Sequence, residues 1–197
     1  MTGPLEIAAN GVTTLAIFLA GRNSVHTWWT GMAGCSLFAL LFFQSNLYAD
    51  VLLQGFFIAS SALGWWYWLH GRQGEALPIA PAAFRSLLWP TASALVVAAI
   101  YATVLLHFTD AYAPFVDSAV LMLSVLAQFL LMKRRIENWA FWVLVNTISV
   151  PLYASRGLYL TAVLYACYWA HAIYAWLQWR RLAQAQAQIA PTVPAAA

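Results

Sequence analysis

Charge is what this sequence has least of. Only 8% of its 197 residues are Asp, Glu, Lys or Arg, against about a quarter in an ordinary soluble domain. Cysteine is almost missing, and Cys35 and Cys167 both fall within apolar runs. They read as small packing residues rather than a disulfide or a metal pair. There is no glycine-rich phosphate loop, no metal-spaced His cluster and no nucleophile beside a base. Such a chain offers no covalent chemistry, so the expectation is a non-enzyme without cofactor or metal. Lys and Arg are also missing ahead of the first apolar run, which holds Glu6 instead. A signal peptide begins with positive charge, so that run is read as part of the mature protein.

What is present is apolar surface. Hydrophobic residues make up 63% of the chain and its mean hydropathy is +0.73. Water cannot solvate such a composition, so the solvent is a bilayer. A hydrocarbon layer of ~30 Å needs roughly 20 apolar residues per helical span. Seven windows meet that need: 5–21, 26–43, 48–69, 86–107, 114–132, 137–154 and 157–179. Their continuous apolarity, without alternation, argues against a β-barrel and for an all-α integral membrane protein of seven transmembrane helices. A seven-helix domain is expected over 1–182, with 183–197 (AQAQAQIAPTVPAAA) as a low-complexity, disordered tail.

The few charges are sorted by side. With seven spans, the N-terminus and the second, fourth and sixth connections share one side, which holds only Arg156. The other side holds Arg22, Arg72, Arg85, Lys133, Arg134, Arg135, Arg180 and Arg181. The positive-inside rule then puts the N-terminus outside and the C-terminus in the cytoplasm.

The chain also repeats itself. A gapless shift of 111 residues lays Arg22 on Lys133, Val25 on Ile136, Trp28 on Trp139 and Leu53 on Leu164. The same shift lays Trp65-x-x-Trp68 on Trp176-x-x-Trp179. Two three-helix units, 5–69 and 114–179, are then joined by one linker helix, 86–107. The single crossing restores the direction of the second unit, giving 3+1+3 parallel repeats with a site expected where the two bundles meet.

Aromatic and neutral polar side chains line the candidate site. In 137–154, Trp139, Trp142, Asn146, Ser149 and Tyr153 follow spacings of three and four, so they share one stripe. An amide in mid-bilayer needs partners, either a neighbouring helix or a solute. Window 48–69 carries a comparable stripe, Gln54, Ser61, Trp65 and Trp68, in which the tryptophans also suit an interfacial belt. The last window offers Tyr165, Tyr168, Trp169, His171 and Trp176; His171 suits ligand contact, proton transfer or helix packing. No Asp, Glu, Lys or Arg sits at a midplane, where ion-coupled carriers usually place one, so uniport is expected. Indole faces with neutral hydrogen-bonding groups suit a flat aromatic solute, and for a ring cation each face adds roughly 0.5–2 kcal/mol. An integral membrane enzyme would have to work with scattered groups such as His26, His70 and Asp110. A non-transporting subunit would leave the repeat and the polar stripes without a purpose.

Two segments carry a family likeness. FFQSNLYADVLLQGFFIASSALGWWYW (42–68) and VDSAVLMLSVLAQFLLMKRRIENWAFWVLVNTISVPLYASRGLYLTAVLY (116–165) resemble the PnuC family of bacterial vitamin transporters. The specific pieces are FFQ-x-x-LY-x-x-x-LLQ, GW-x-x-W and ENW-x-x-W-x-x-x-N. The resemblance implies a SWEET-like 3+1+3 fold in the inner membrane, a homotrimer, and facilitated diffusion of nicotinamide riboside, trapped in the cytoplasm by phosphorylation. It implies substrate contact at the positions of Gln54, Trp65, Trp68, Trp139, Trp142 and Asn146. Nicotinamide riboside members often carry Asn and Tyr where this chain has Ser61 and Leu63, and some relatives carry thiamine or riboflavin, which stay as alternatives.

Overall fold

The computed structural model describes residues 3–44, 48–71, 74–108 and 113–189. Each apolar window becomes a helix: α1 Pro4–Gly21, α2 His26–Gln44, α3 Tyr48–His70, α4 Phe84–Phe108, α5 Pro114–Met132, α6 Asn138–Ser155 and α7 Tyr159–Ile189. Six of them match their windows to within two residues at both ends. The seventh runs seven residues into the segment expected to be a disordered tail. Ala and Gln fill that stretch, and both favour helix. Residues 190–197 lie outside the described residues, as does Asp110.

By length and composition alone, α1, α4, α5 and α7 are apolar enough to cross a membrane. Helices α2, α3 and α6 reach spanning length, at 19, 23 and 18 residues. Their apolarity is diluted by Trp, Tyr, Thr and Asn, and α3 and α6 carry the candidate residues from Gln54 to Trp68 and from Trp139 to Asn146. Large apolar side chains such as Leu52, Trp89, Phe108 and Leu160 stand exposed on the outside. That surface suits a hydrocarbon solvent.

The helices close into a ring. α1 packs on α2, α2 on α3, α3 on α5, α5 on α6, α6 on α7, and α7 back on α1. α4 lies outside the ring and, among the described residues, packs on α5 alone. The ring order sets α2 opposite α6, and α3 opposite α7, across a common axis.

Two of the turns are built alike. After α1, Arg22 N–H bonds Phe18 O (3.1 Å), Asn23 N–H bonds Ala20 O (2.9 Å) and Ser24 N–H bonds Leu19 O (2.9 Å). After α5, Lys133 N–H bonds Phe129 O (3.2 Å), Arg134 N–H bonds Leu131 O (3.0 Å) and Arg135 N–H bonds Leu130 O (2.9 Å). Each atom of the second set lies 111 residues beyond its counterpart in the first. The backbone adopts the left-handed region at Asn23 (φ 54°) and at Arg134 (φ 50°). Asn enters that region readily, whereas Arg seldom does.

Close packing of α2 on α3 depends on Gly64, where an added Cβ would lie 2.4–2.7 Å from the Trp28 ring. At Gly55, on the same helix, an added Cβ would meet nothing within 4 Å. Gly64→Ala is therefore expected to destabilise the protein by about 1–3 kcal/mol. Gly55→Ala should be neutral or gain up to about 1 kcal/mol. Thermal unfolding of both variants in one detergent checks this, and equal shifts would contradict the assigned packing.

Candidate functional site

Four tryptophans block the ring at one end, the end that carries residues 22–25 and 133–137. Trp28, Trp68, Trp139 and Trp179 are each 2% exposed or less. Trp28 meets Trp68 edge-on (centroids 5.2 Å, planes at 90°), and Trp139 meets Trp179 in the same way (5.6 Å, 81°). Between these pairs, Trp68 of α3 touches Trp179 of α7 across the axis at 5.8 Å. Edge-to-face indoles place the positive ring edge on the negative ring face, adding about 0.5–1.5 kcal/mol per pair beyond burial.

A buried indole N–H needs an acceptor. Trp68 Nε1 donates to Leu131 O (3.0 Å) at the end of α5, and Trp179 Nε1 donates to Ala20 O (3.2 Å) at the end of α1. These are the carbonyls that also accept the turn N–H groups of Arg134 and Asn23. A helix C-terminal carbonyl that accepts only a turn N–H keeps a second lone pair, and the plug uses that remaining acceptor capacity. Trp28 Nε1 and Trp139 Nε1, in contrast, are buried without a hydrogen-bond partner.

Beyond the plug, α6 and α3 carry buried and half-buried neutral polar groups. Trp142 and Trp176 are partly buried and pack against the plug. One turn further along α6 comes Asn146, 5% exposed, whose Nδ2 donates to Trp142 O (2.9 Å). Ser149 follows, fully buried, and its Oγ has no partner. On α3, Ser61 is buried and Gln54 is half-buried on the same helix face. An aromatic series joins α6, α7 and α1: Tyr153 to Tyr165 (4.8 Å), Tyr165 to Tyr168 (5.7 Å), and Tyr168 Oη to Thr14 Oγ1 (2.7 Å). Arg156, after α6, forms an ion pair with Asp117 of α5 (2.6 Å).

The structure thus joins some sequence candidates and separates others. Trp68 and Trp139 sit in the plug, with Trp142, Trp176 and Asn146 next to it. His171 is buried between α1 and α7; its Nε2 lies 3.1 Å from Ile17 O and its ring contacts Phe18 and Trp139. Gly21 leaves room for it, since a Cβ there would fall 2.5 Å from His171 Nε2. Trp65 and Trp169 are exposed, and Trp169 Nε1 bonds Thr147 Oγ1 (3.0 Å) at an exposed position between α6 and α7. Trp28 and Trp179 were absent from the candidate set. The signal for them was the 111-residue register, which pairs them with Trp139 and Trp68.

A helical ring with a lipid-suited exterior, an aromatic closure and buried neutral polar groups beyond it defines a class: multi-pass membrane carriers of small solutes. Comparison with known proteins gives the family. Residues 3–181 match the family described as nicotinamide mononucleotide transporter, and the chain belongs to it. The nicotinamide riboside transporter PnuC of Escherichia coli (strain K12) is 31% identical over 179 residues, covering 77% of this chain and 74% of that protein. The riboflavin/roseoflavin transporter RibM of Streptomyces davaonensis is 26% identical over 176 residues, covering 86% of this chain and 80% of that protein. A crystal structure of the vitamin B3 transporter PnuC superposes with a TM-score of 0.69 at 21% identity, covering 92% of this chain and 82% of that one. The resemblance read from the motifs is thereby borne out, and the solved structure supports the fold.

The contact across the axis is open to direct measurement. A double-mutant cycle on Trp68→Phe and Trp179→Phe should return a coupling of about 0.5–1.5 kcal/mol. Additive effects on unfolding would mean that the two rings do not meet.

Proposed function

We propose that the chain is a uniporter that takes nicotinamide riboside into the cytoplasm across the inner membrane, where phosphorylation traps it. The observation that carries this reading is the stripe Trp142–Asn146 lying directly beyond a closed indole plug, in a chain of the nicotinamide mononucleotide transporter family. An indole face offers a cationic pyridinium ring roughly 0.5–2 kcal/mol of attraction without a buried counter-ion. Asn146, Gln54 and Ser61 supply hydrogen-bonding groups for a carboxamide and ribose hydroxyls. Trp139 Nε1 and Ser149 Oγ, both buried and unpartnered, are further groups that a polar solute could satisfy. Tyr165 closes the proposed pocket from α7, with the plug as its floor. Trp65 and Trp169, both exposed, fit the interfacial belt better than the pocket.

The plug end is taken to be cytoplasmic, because the sequence assigns eight of the nine basic residues to that side, of which Arg72 lies outside the described residues. The domain is taken as 1–182, built of SWEET-like 3+1+3 parallel repeats over 5–69 and 114–179. What supports the repeat is that interactions recur with partners exchanged. Trp68–Leu131 and Trp179–Ala20 are related by the 111-residue shift, and so are Gln128–Ser60 and Ile17–His171. A homotrimer is implied by the family resemblance, and the exposed apolar face of α4 gives it a surface to use.

The riboflavin alternative is favoured by the likeness to RibM, and thiamine by its cationic ring. Of the two departures in α3, Leu63 is exposed on the opposite helix face from Ser61, so only Ser61 bears on the pocket. Calorimetric titration of the purified protein with nicotinamide riboside, thiamine and riboflavin decides among them, with saturable binding of nicotinamide riboside expected. Asn146→Ala and Trp142→Ala should each weaken that binding by about tenfold or more. If both variants bind like the parent, the pocket on α6 is wrong.

A further inference from the structure

The connection from α3 to α4 is strapped over the plug. Leu77 N–H bonds Trp68 O (3.3 Å), and Ile79 N–H bonds Gln186 Oε1 on the extension of α7 (3.1 Å). Ala80 pairs with the α5–α6 turn twice, through Ala80 N–H to Arg134 O (3.2 Å) and Ile136 N–H to Ala80 O (3.3 Å). Ala82 N–H bonds Glu137 Oε2 (2.8 Å), and Arg135 Nη1 donates to Pro81 O (3.1 Å). Ile79, only 4% exposed, belongs to the same apolar cluster as Trp28, Trp68, Trp139 and Trp179.

At the centre of this arrangement is Arg134. Its guanidinium lies over the Trp68 ring, 4.2 Å from the centroid, and its Nη1 donates to Leu77 O. One side chain therefore grips both the indole that crosses the axis and the backbone of the strap. Burial pushes the guanidinium down to about 10, which leaves it charged at neutral pH. The turn after α1 has the same backbone but carries Asn23, whose Oδ1 is buried without a partner. No strap ties to that turn among the described residues. The two halves thus share a plug but not a fastening. The backbone at Arg134 holds a conformation that Arg seldom adopts, a cost that a side chain with a positioning role can justify.

We propose that Arg134 is a positioning residue of the gate at this end, pinning the 77–82 strap to Trp68 so that the strap must lift before a solute can pass the plug. The proposal rests on the reading that the solute leaves past the plug. Its test does not need the solute. In a Cys35→Ala, Cys167→Ala background reconstituted in nanodiscs, an Ile79→Cys reporter is labelled with a membrane-impermeant maleimide. With Arg134 in place, labelling is slow. Arg134→Gln should speed it about tenfold or more, as expected for losing a charge-assisted hydrogen bond that holds a local opening closed. Arg134→Lys keeps the charge and one donor, and should fall between the two. A second reporter, Ala127→Cys, fully buried on α5 away from the strap, should stay slow in every variant. Unchanged Ile79→Cys labelling in Arg134→Gln overturns the proposal, and so does a parallel rise at both reporters, which would mean general loosening. Failure of nicotinamide riboside to bind the parent would defeat the substrate reading alone, because the labelling ratio is measured without it.

Discussion

A buried indole N–H costs free energy unless it finds an acceptor, and inside a membrane no water supplies one. Trp68 and Trp179 solve this by reaching across to the last turns of α5 and α1, where carbonyls that accept only a turn N–H keep a second lone pair. One bond ties α3 to α5 and the other ties α7 to α1. Because the two rings also touch on the axis, these bonds both hold the ring and help to close it. The turns at Ala20–Ser24 and Leu131–Arg135 must keep their shape for the acceptors to stand in place. The glycine at position 64 must stay small for Trp28 to complete the cluster.

That coupling bears on function. A carrier must close one end while it opens the other, and a plug built of bonds between the two halves is suited to such an exchange. At the plug end the closure is dry and aromatic. Toward the other end, among the described residues, stand the tyrosine series from α6 to α1 and the Arg156–Asp117 pair, which is partly exposed and so weakly stabilising. The stripe of Trp142, Asn146 and Ser149 lies between the two sets of ties.

Much of this was legible in the sequence. Helix number, and the ends of every helix but α7, follow from hydropathy, since a run of about 20 apolar residues has few alternatives. The tryptophan register named all four members of the plug, although only Trp68 and Trp139 were taken as site candidates. The strap was not legible. Ile79 stands in a short Leu-Pro-Ile-Ala-Pro run, too brief and too rich in proline for any periodicity to mark it as core. Arg134 counted only as one charge among eight; its place over Trp68 depends on a left-handed turn that side-chain pattern does not reveal. The end of α7 was misread because AQAQAQ looks like low complexity, while its residues favour helix and Gln186 has a partner to reach.

The central claim is uniport through this ring, and counterflow tests it most directly. Proteoliposomes loaded with unlabelled nicotinamide riboside are diluted into a trace of labelled compound, with no ion gradient and no nucleotide. A transient accumulation of label inside above its outside concentration is expected, decaying as the internal pool drains, and reduced in Asn146→Ala. Label that never exceeds equilibrium, or that accumulates only under an imposed proton or sodium gradient, would contradict that claim.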